Sequence, residues 1–139
     1  MTRLLFDVNV ILDVLLDRKP HAEASAAAWA AVERGMAQGV VAAHAIATIH
    51  YLVRKETSAA KAKAIITAIL RVFQVAPIDD GVAQEALHLS CSDFEDAVTA
   101  AAARSASCDY IVTRDPRGFR GSPVRSVTPE AVLPLLVDK

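Results

Sequence analysis

Aromatic residues are scarce, only 5% of the 139 residues. That is too few for the base-stacking surfaces of OB or RRM modules. Cysteine is scarcer still. Cys91 and Cys108 lack CxxC spacing, so neither a zinc site nor a disulfide framework is encoded. Neither sign of charge is in excess, with 15 Lys and Arg against 16 Asp and Glu and a formal net charge of −1. A tight, non-specific polyanion binder is excluded on that balance, and any such binding must come from a local patch. No apolar run reaches the roughly 18 residues of a membrane span. Asp7 and Asp13 cut the apolar N-terminal stretch where a signal peptide would have its core. Repeats, linkers and low-complexity segments are missing too, apart from alanine-rich helices. The simplest compartment is therefore a reducing cytoplasm, with no membrane partner.

What is present is core. Hydrophobic residues make up 53% of the chain, and the length fits one domain over residues 1–139 that buries roughly 68–70% of its unfolded surface. Arg3 to Phe6 reads as a short buried strand. Helical spacing follows from about Asn9 and stops near Pro20. Ala22 to Ala37 reads as a helix ended by Gly39, and Val40 to Ala43 as a strand. A helix carrying Ile46, Ile49, Leu52 and Val53 comes next. Another, capped by Ser58, has Ile65, Ile66, Ile69, Leu70 and Phe73 as its buried face. Val75 to Ile78 is a third strand and Asp80 to Leu89 a short helix, with Asp79 and Asp80 as its caps. A helix runs from Asp93 to Ser105. "DYIVTRD" (109–115) is a strand meeting the loop "PRGFRG", Val124 to Val127 is a last strand, and Thr128-Pro129 opens a final helix. Strands alternating with helices predict an α/β class with a mostly parallel sheet.

In such sheets ligands bind beyond the carboxyl ends of the strands. Two strands end on an acid there, Asp7 after "RLLF" and Asp115 after "YIVTR". Singly, each has an ordinary explanation as a cap; together they place two carboxylates at one edge. A third group lies in "CSDFEDAVTAAAARSA". Ser92 and Glu95 fit a capping box, Asp93 falls at the helix start, and Asp96 precedes a tightly packing run of small residues without a structural task of its own. Clustered carboxylates repel one another. A hard divalent cation such as Mg²⁺ or Mn²⁺ reverses that logic, because it prefers oxygen ligands and promotes phosphodiester displacement. No serine or cysteine triad, glycine-rich phosphate loop or HExxH motif competes.

"FDVNVILDVLL", "DFEDAVTAAAA" and "DYIVTRDPRGF" together resemble three motifs of PIN domains, the ribonuclease fold of VapC-type toxins, in order and spacing across nearly the whole chain. The resemblance implies a three-layer α/β/α sandwich whose acidic pocket holds Mg²⁺ or Mn²⁺ and cleaves single-stranded RNA. It also implies a homodimer and an antitoxin protein partner. Carried over by position, the catalytic, metal-holding acids are Asp7, Asp96 and Asp115, with Asp93 as an additional metal ligand. Asn9 matches an amide that supports the first acid by hydrogen bonding, and Thr113 a small polar residue two before the last acid. Thr48 stands where the family has its second acid, usually Glu. Threonine supplies no charge, so a second reading is a PIN-fold module with weakened catalysis that binds RNA or a protein.

Other residues carry less. His44 and His50 would point about 120° apart on one helix and make poor joint ligands. Asp13 reads as a helix-face residue or a support to the site, and Trp29 as a core or interface anchor. Arg114, Arg117 and Arg120 border the expected site, and their guanidinium forks suit RNA phosphates. A phosphatase of the HAD type would need an acid at position 9, where Asn stands.

Overall fold

The computed structural model describes residues 1–137; Asp138 and Lys139, the end of the expected domain, lie outside the described residues. The chain runs β1 (Arg3–Phe6), α1 (Val8–Leu15), α2 (Ala22–Glu33), β2 (Gln38–Ala42), α3 (Ala43–Glu56), α4 (Ala59–Val72) and β3 (Phe73–Ala76). It continues with α5 (Asp80–Ala86), α6 (Phe94–Ser105), β4 (Tyr110–Val112), a single turn of 3-10 helix (Pro116–Phe119), β5 (Arg125–Val127) and α7 (Pro129–Val137). The five strands form one sheet in the order β3-β2-β1-β4-β5, and every pairing is parallel.

Alternation along the strands builds two cores. Leu4, Phe6, Val41 and Val112 face α1, α2, α3, α4 and α7, whereas Leu5, Val40, Ala42 and Ile111 face α5 and α6. The result is helices on both faces of a parallel sheet, the expected three layers. On the first face Phe73 is the hub, with its ring edge-on to Phe6 at 5.2 Å and to Trp29 at 5.1 Å. Gly39 makes room for it, since a Cβ at that position would lie 2.5 Å from Phe73 Cδ1. Trp29 thus packs against the core while staying partly exposed. On the second face Ala97 and Ala100 to Ala103 are all buried, and side chains this small let α6 lie close to the sheet.

Several boundaries differ from the sequence expectation, each for a local reason. Helix α2 ends at Glu33 rather than Ala37, because Gly35 takes a φ of +77° that turns the chain out of the helix. Gly39 therefore belongs to β2 and stops nothing. Ser58 does cap α4 by accepting the Lys61 amide, but Leu70 is half exposed and the buried face is Ala62 and Ile69. β3 begins at Phe73, earlier than expected. β4 ends at Val112, so Asp115 lies three residues beyond the strand. Among the described residues no helix is long and apolar enough to cross a membrane.

The topology fixes where function can sit. From β1 the chain builds outward through β2 to β3, then returns to place β4 on the other side of β1. The crevice between the carboxyl ends of β1 and β4 is the switch point of the sheet, where open α/β folds bind ligands. A crossover helix runs back against its strands, so the N-terminus of α6 comes to that same edge.

Candidate active site

At the switch point lies a cleft of about 330 Å³ lined by Asp7, Val8, Asn9, Ser92, Asp93, Glu95, Asp96, Thr113, Asp115, Gly118 and Phe119. Five of these residues are acids and none is basic. They come from the β1–α1 junction, the start of α6 and the segment after β4. A larger and more apolar hollow lies near Lys19 and Ala26, away from these groups, and its lining brings no such cluster together.

Asp7 is held on both oxygens. Oδ1 accepts the Val8 amide at 2.8 Å, which makes it the N-cap of α1, and Oδ2 accepts the Thr113 hydroxyl at 3.0 Å. The residue is both a cap and a member of the cleft. Burial raises its pKa above the usual 3.8; the bonds from Thr113 and Val8 oppose this, the Glu95 charge adds to it and the Arg114 charge opposes it. The Thr113 hydroxyl also accepts the Asp115 amide at 3.2 Å. Thr113 therefore ties the last acid to the first. Asn9 lines the cleft but, among the described residues, makes no hydrogen bond to Asp7; Thr113 performs the steadying expected of Asn9.

Asp96 is pushed up to about 6, first by burial, then by the charges of Asp93, Asp7 and Glu95, against a weak opposing bond from Ser92. The capping of α6 differs from the S-x-x-E expectation. Asp93, not Ser92, is the N-cap, accepting the Asp96 amide at 2.8 Å. Ser92 is drawn out of the helix because its amide donates to the Gly118 carbonyl at 3.1 Å. That contact also presses the 3-10 turn against the start of α6. A Cβ on Gly118 would lie 3.0 Å from Asp96 Oδ2 and 3.9 Å from Asp115 Oδ2, so both carboxylates face this glycine. The Asp115 side chain is 70% exposed and makes only a loose pair with Arg117 at 3.7 Å.

The donor set suits a hard divalent cation: all oxygen, mostly carboxylate, with room for water and phosphate oxygens. As they stand, no three His, Cys, Asp or Glu side chains among the described residues converge tightly enough to hold an ion. Asp115, exposed and weakly paired, is the member freest to close in.

Two expected residues stand elsewhere. Thr48 does not line the cleft; its hydroxyl donates to the His44 carbonyl within α3 at 3.4 Å. Arg114 does not line the cleft. Its Nε lies 2.9 Å from Asp13 Oδ2, beneath the surface, with Asp13 wholly buried. Arg117 and Arg120 remain exposed. Glu95, given a capping task by the sequence pattern, instead lines the cleft. A link that no pattern indicated joins α3 to α6, where His44 Nε2 lies 3.3 Å from Thr99 Oγ1. Thr99 spends its own proton on the Glu95 carbonyl at 3.0 Å. This leaves Thr99 Oγ1 as an acceptor toward His44 Nε2, whose buried Nδ1 has no partner among the described residues.

A family model described as PIN domain matches residues 3–117. The chain belongs to the PIN domain family. Among solved structures, FitAcB from Neisseria gonorrhoeae superposes on this PIN domain with a TM-score of 0.70 at 22% identity, over 91% of this chain and 97% of that one. VapBC2 from Rickettsia felis, bound to a DNA fragment from its promoter, gives 0.69 at 10% identity over 91% and 98%. VapC20 from Mycobacterium tuberculosis, a sarcin–ricin loop cleaving toxin, gives 0.60 at 15% identity over 78% and 86%. At such identities the likeness is one of fold. No curated protein matches the sequence.

Proposed function

We propose that this PIN domain is a Mg²⁺- or Mn²⁺-dependent endoribonuclease that cleaves single-stranded RNA, acting as the toxin of a toxin–antitoxin pair. The observation that carries the reading is the gathering of Asp7, Asp96 and Asp115, distant in sequence, around one cleft whose lining holds five acids and no basic residue. Unbalanced negative charge at a sheet switch point is costly unless a cation joins it. Membership of the PIN family and the fold shared with VapC20 support the same direction.

Asp7, Asp96 and Asp115 would hold the metal, with Asp93 as a further ligand from its capping position. A bound divalent ion supplies neutralising charge and activates water for phosphodiester hydrolysis. The chain's own residues do the rest. Thr113 fixes the Asp7 carboxylate and the start of the Asp115 segment in one geometry. Burial first, then the charges of Asp93, Asp7 and Glu95, push the Asp96 carboxyl up to about 6 in the absence of an ion. Arg117 and Arg120 stand exposed beside the cleft and offer forks to RNA phosphates. Partners in this reading are a protein antitoxin and a second copy of the chain in a homodimer, in a cytoplasmic setting.

The test is cleavage of short single-stranded RNAs during Mg²⁺ and Mn²⁺ titration. Asp7→Asn should abolish cleavage with circular dichroism unchanged, and chelation with EDTA should abolish it in the wild type. Cleavage that survives either treatment defeats the proposal. One observation favours a second reading, a catalytically weakened module: Thr48 stands where the family has an acid and does not line the cleft. Thr48→Glu should then create or raise metal-dependent cleavage, whereas an unchanged rate argues against a degenerate site.

A further inference from the structure

Asp13 is wholly buried yet poorly satisfied. Its Oδ1 has no partner, and its Oδ2 receives only a long bond of 3.5 Å from the Ser25 hydroxyl. The Arg114 guanidinium approaches Oδ2 at 2.9 Å, but the Nε lacks hydrogen-bond alignment. The contact is therefore chiefly one of charge. A buried carboxylate in this condition depends on its counter-charge, which gives Arg114 one strongly preferred place.

That place is inside the site's own segment. Arg114 sits between Thr113, bonded to Asp7, and Asp115, whose amide bonds to Thr113. The segment is thereby anchored twice to one strand–helix unit, by Thr113 to Asp7 at the head of α1 and by Arg114 to Asp13 further along it. Beyond Thr113 the strand has ended, and sheet pairing no longer holds the backbone. The ion pair takes over where the ladder stops. We propose that Asp13 and Arg114 are a positioning pair, which clamps the segment after β4 so that Asp115 is presented to Asp7 and Asp96. The inference rests on the reading of this cleft as a metal-dependent nuclease site and adds to it a pair that touches neither metal nor RNA.

Full-length protein carrying Asp13→Asn, and separately the apolar pair Asp13→Leu with Arg114→Met, is compared with wild type. Replacing both members of a buried ion pair by apolar groups of similar volume is close to neutral for stability, so the second protein separates positioning from folding. The readouts are amide hydrogen exchange by NMR and Mn²⁺ binding followed through the electron paramagnetic resonance of the free ion. In the folded variants the Asp115 amide should exchange about tenfold faster or more, with the amides of β1 and β4 unchanged, as expected for local release. Mn²⁺ affinity should fall by about tenfold, since the third ligand is no longer presented. Wild-type exchange at Asp115 in a folded variant overturns the inference. So does faster exchange throughout the sheet, or failure of both variants to fold, because either makes the pair a folding element alone. If the wild type itself binds no Mn²⁺, the nuclease reading fails, and the exchange experiment still decides the clamp.

Discussion

Replacing Asp96 by asparagine probes the most crowded charge in the cleft. Its carboxyl is raised from 3.8 to about 6, by burial first and then by Asp93, Asp7 and Glu95. The folded chain therefore favours the protonated form. Its stabilising effect is complete below the unfolded value of about 4 and disappears as pH rises through about 6. The gap between 3.8 and about 6 corresponds to about 3 kcal/mol at 1.36 kcal/mol per pH unit. Asp96 is partly exposed, and solvent screening reduces this to about 1 kcal/mol. An amide at this position carries no charge. In chelator, Asp96→Asn should be about 1 kcal/mol more stable than wild type at neutral pH, a rise of about 3 °C in Tm for a domain of this size. Near pH 4 the two should coincide. Mn²⁺ should reverse the order, because wild type gains about 2.7 kcal/mol at a hundredfold excess over Kd while the variant gains little. Thermal melting across pH, with and without the ion, measures all of this. A variant less stable than wild type at neutral pH in chelator would refute the electrostatic reasoning.

Gly39→Ala should lower stability by about 1–3 kcal/mol, read by urea denaturation, because the added carbon meets Phe73 at 2.5 Å and Val32 at 2.8 Å. Thr113→Val removes the hydroxyl that serves Asp7 and should cost about 1.5–3 kcal/mol. Because that bond holds the Asp7 pKa down, its loss should also move the acid limb of the cleavage pH profile to higher pH.

The parts of the fold that were legible in the sequence are those set by local rules. β1 and the site end of α1 follow from "RLLFD", a short apolar run closed by a capping acid. The alternation of strands and helices gives the parallel sheet, and the parallel sheet brings Asp7 and the start of α6 to one edge. The failures are also instructive. In "SDFED" two capping patterns are offset by one residue, and the tertiary bond from the Ser92 amide to Gly118 goes with Asp93 as the cap. Gly35 and Gly39 look alike as helix stops; one takes a positive φ, while the other gives space to an aromatic ring that arrives from β3. Family likeness marks Thr113, but its bond across to Asp7 has no signature in the sequence. The joining of Asp13 to Arg114, and of His44 to Thr99, spans large sequence separations that no periodicity encodes. For the same reason three clustered arginines gave no sign that one of them faces inward.

The pairing of β1 with β4 has a consequence for the life of the chain before it is finished. Asp7 is synthesised 106 residues before its Thr113 partner. Since synthesis proceeds from the N-terminus, every shorter nascent chain lacks half of the cleft. The helices and strands of the first part can form while the acids remain scattered. Under the nuclease reading, a translating ribosome carries an inert product until the segment after β4 appears, and termination before it yields fragments without a site. The order in which the sheet is strung therefore leaves the cleft unassembled until the segment after β4 has been made.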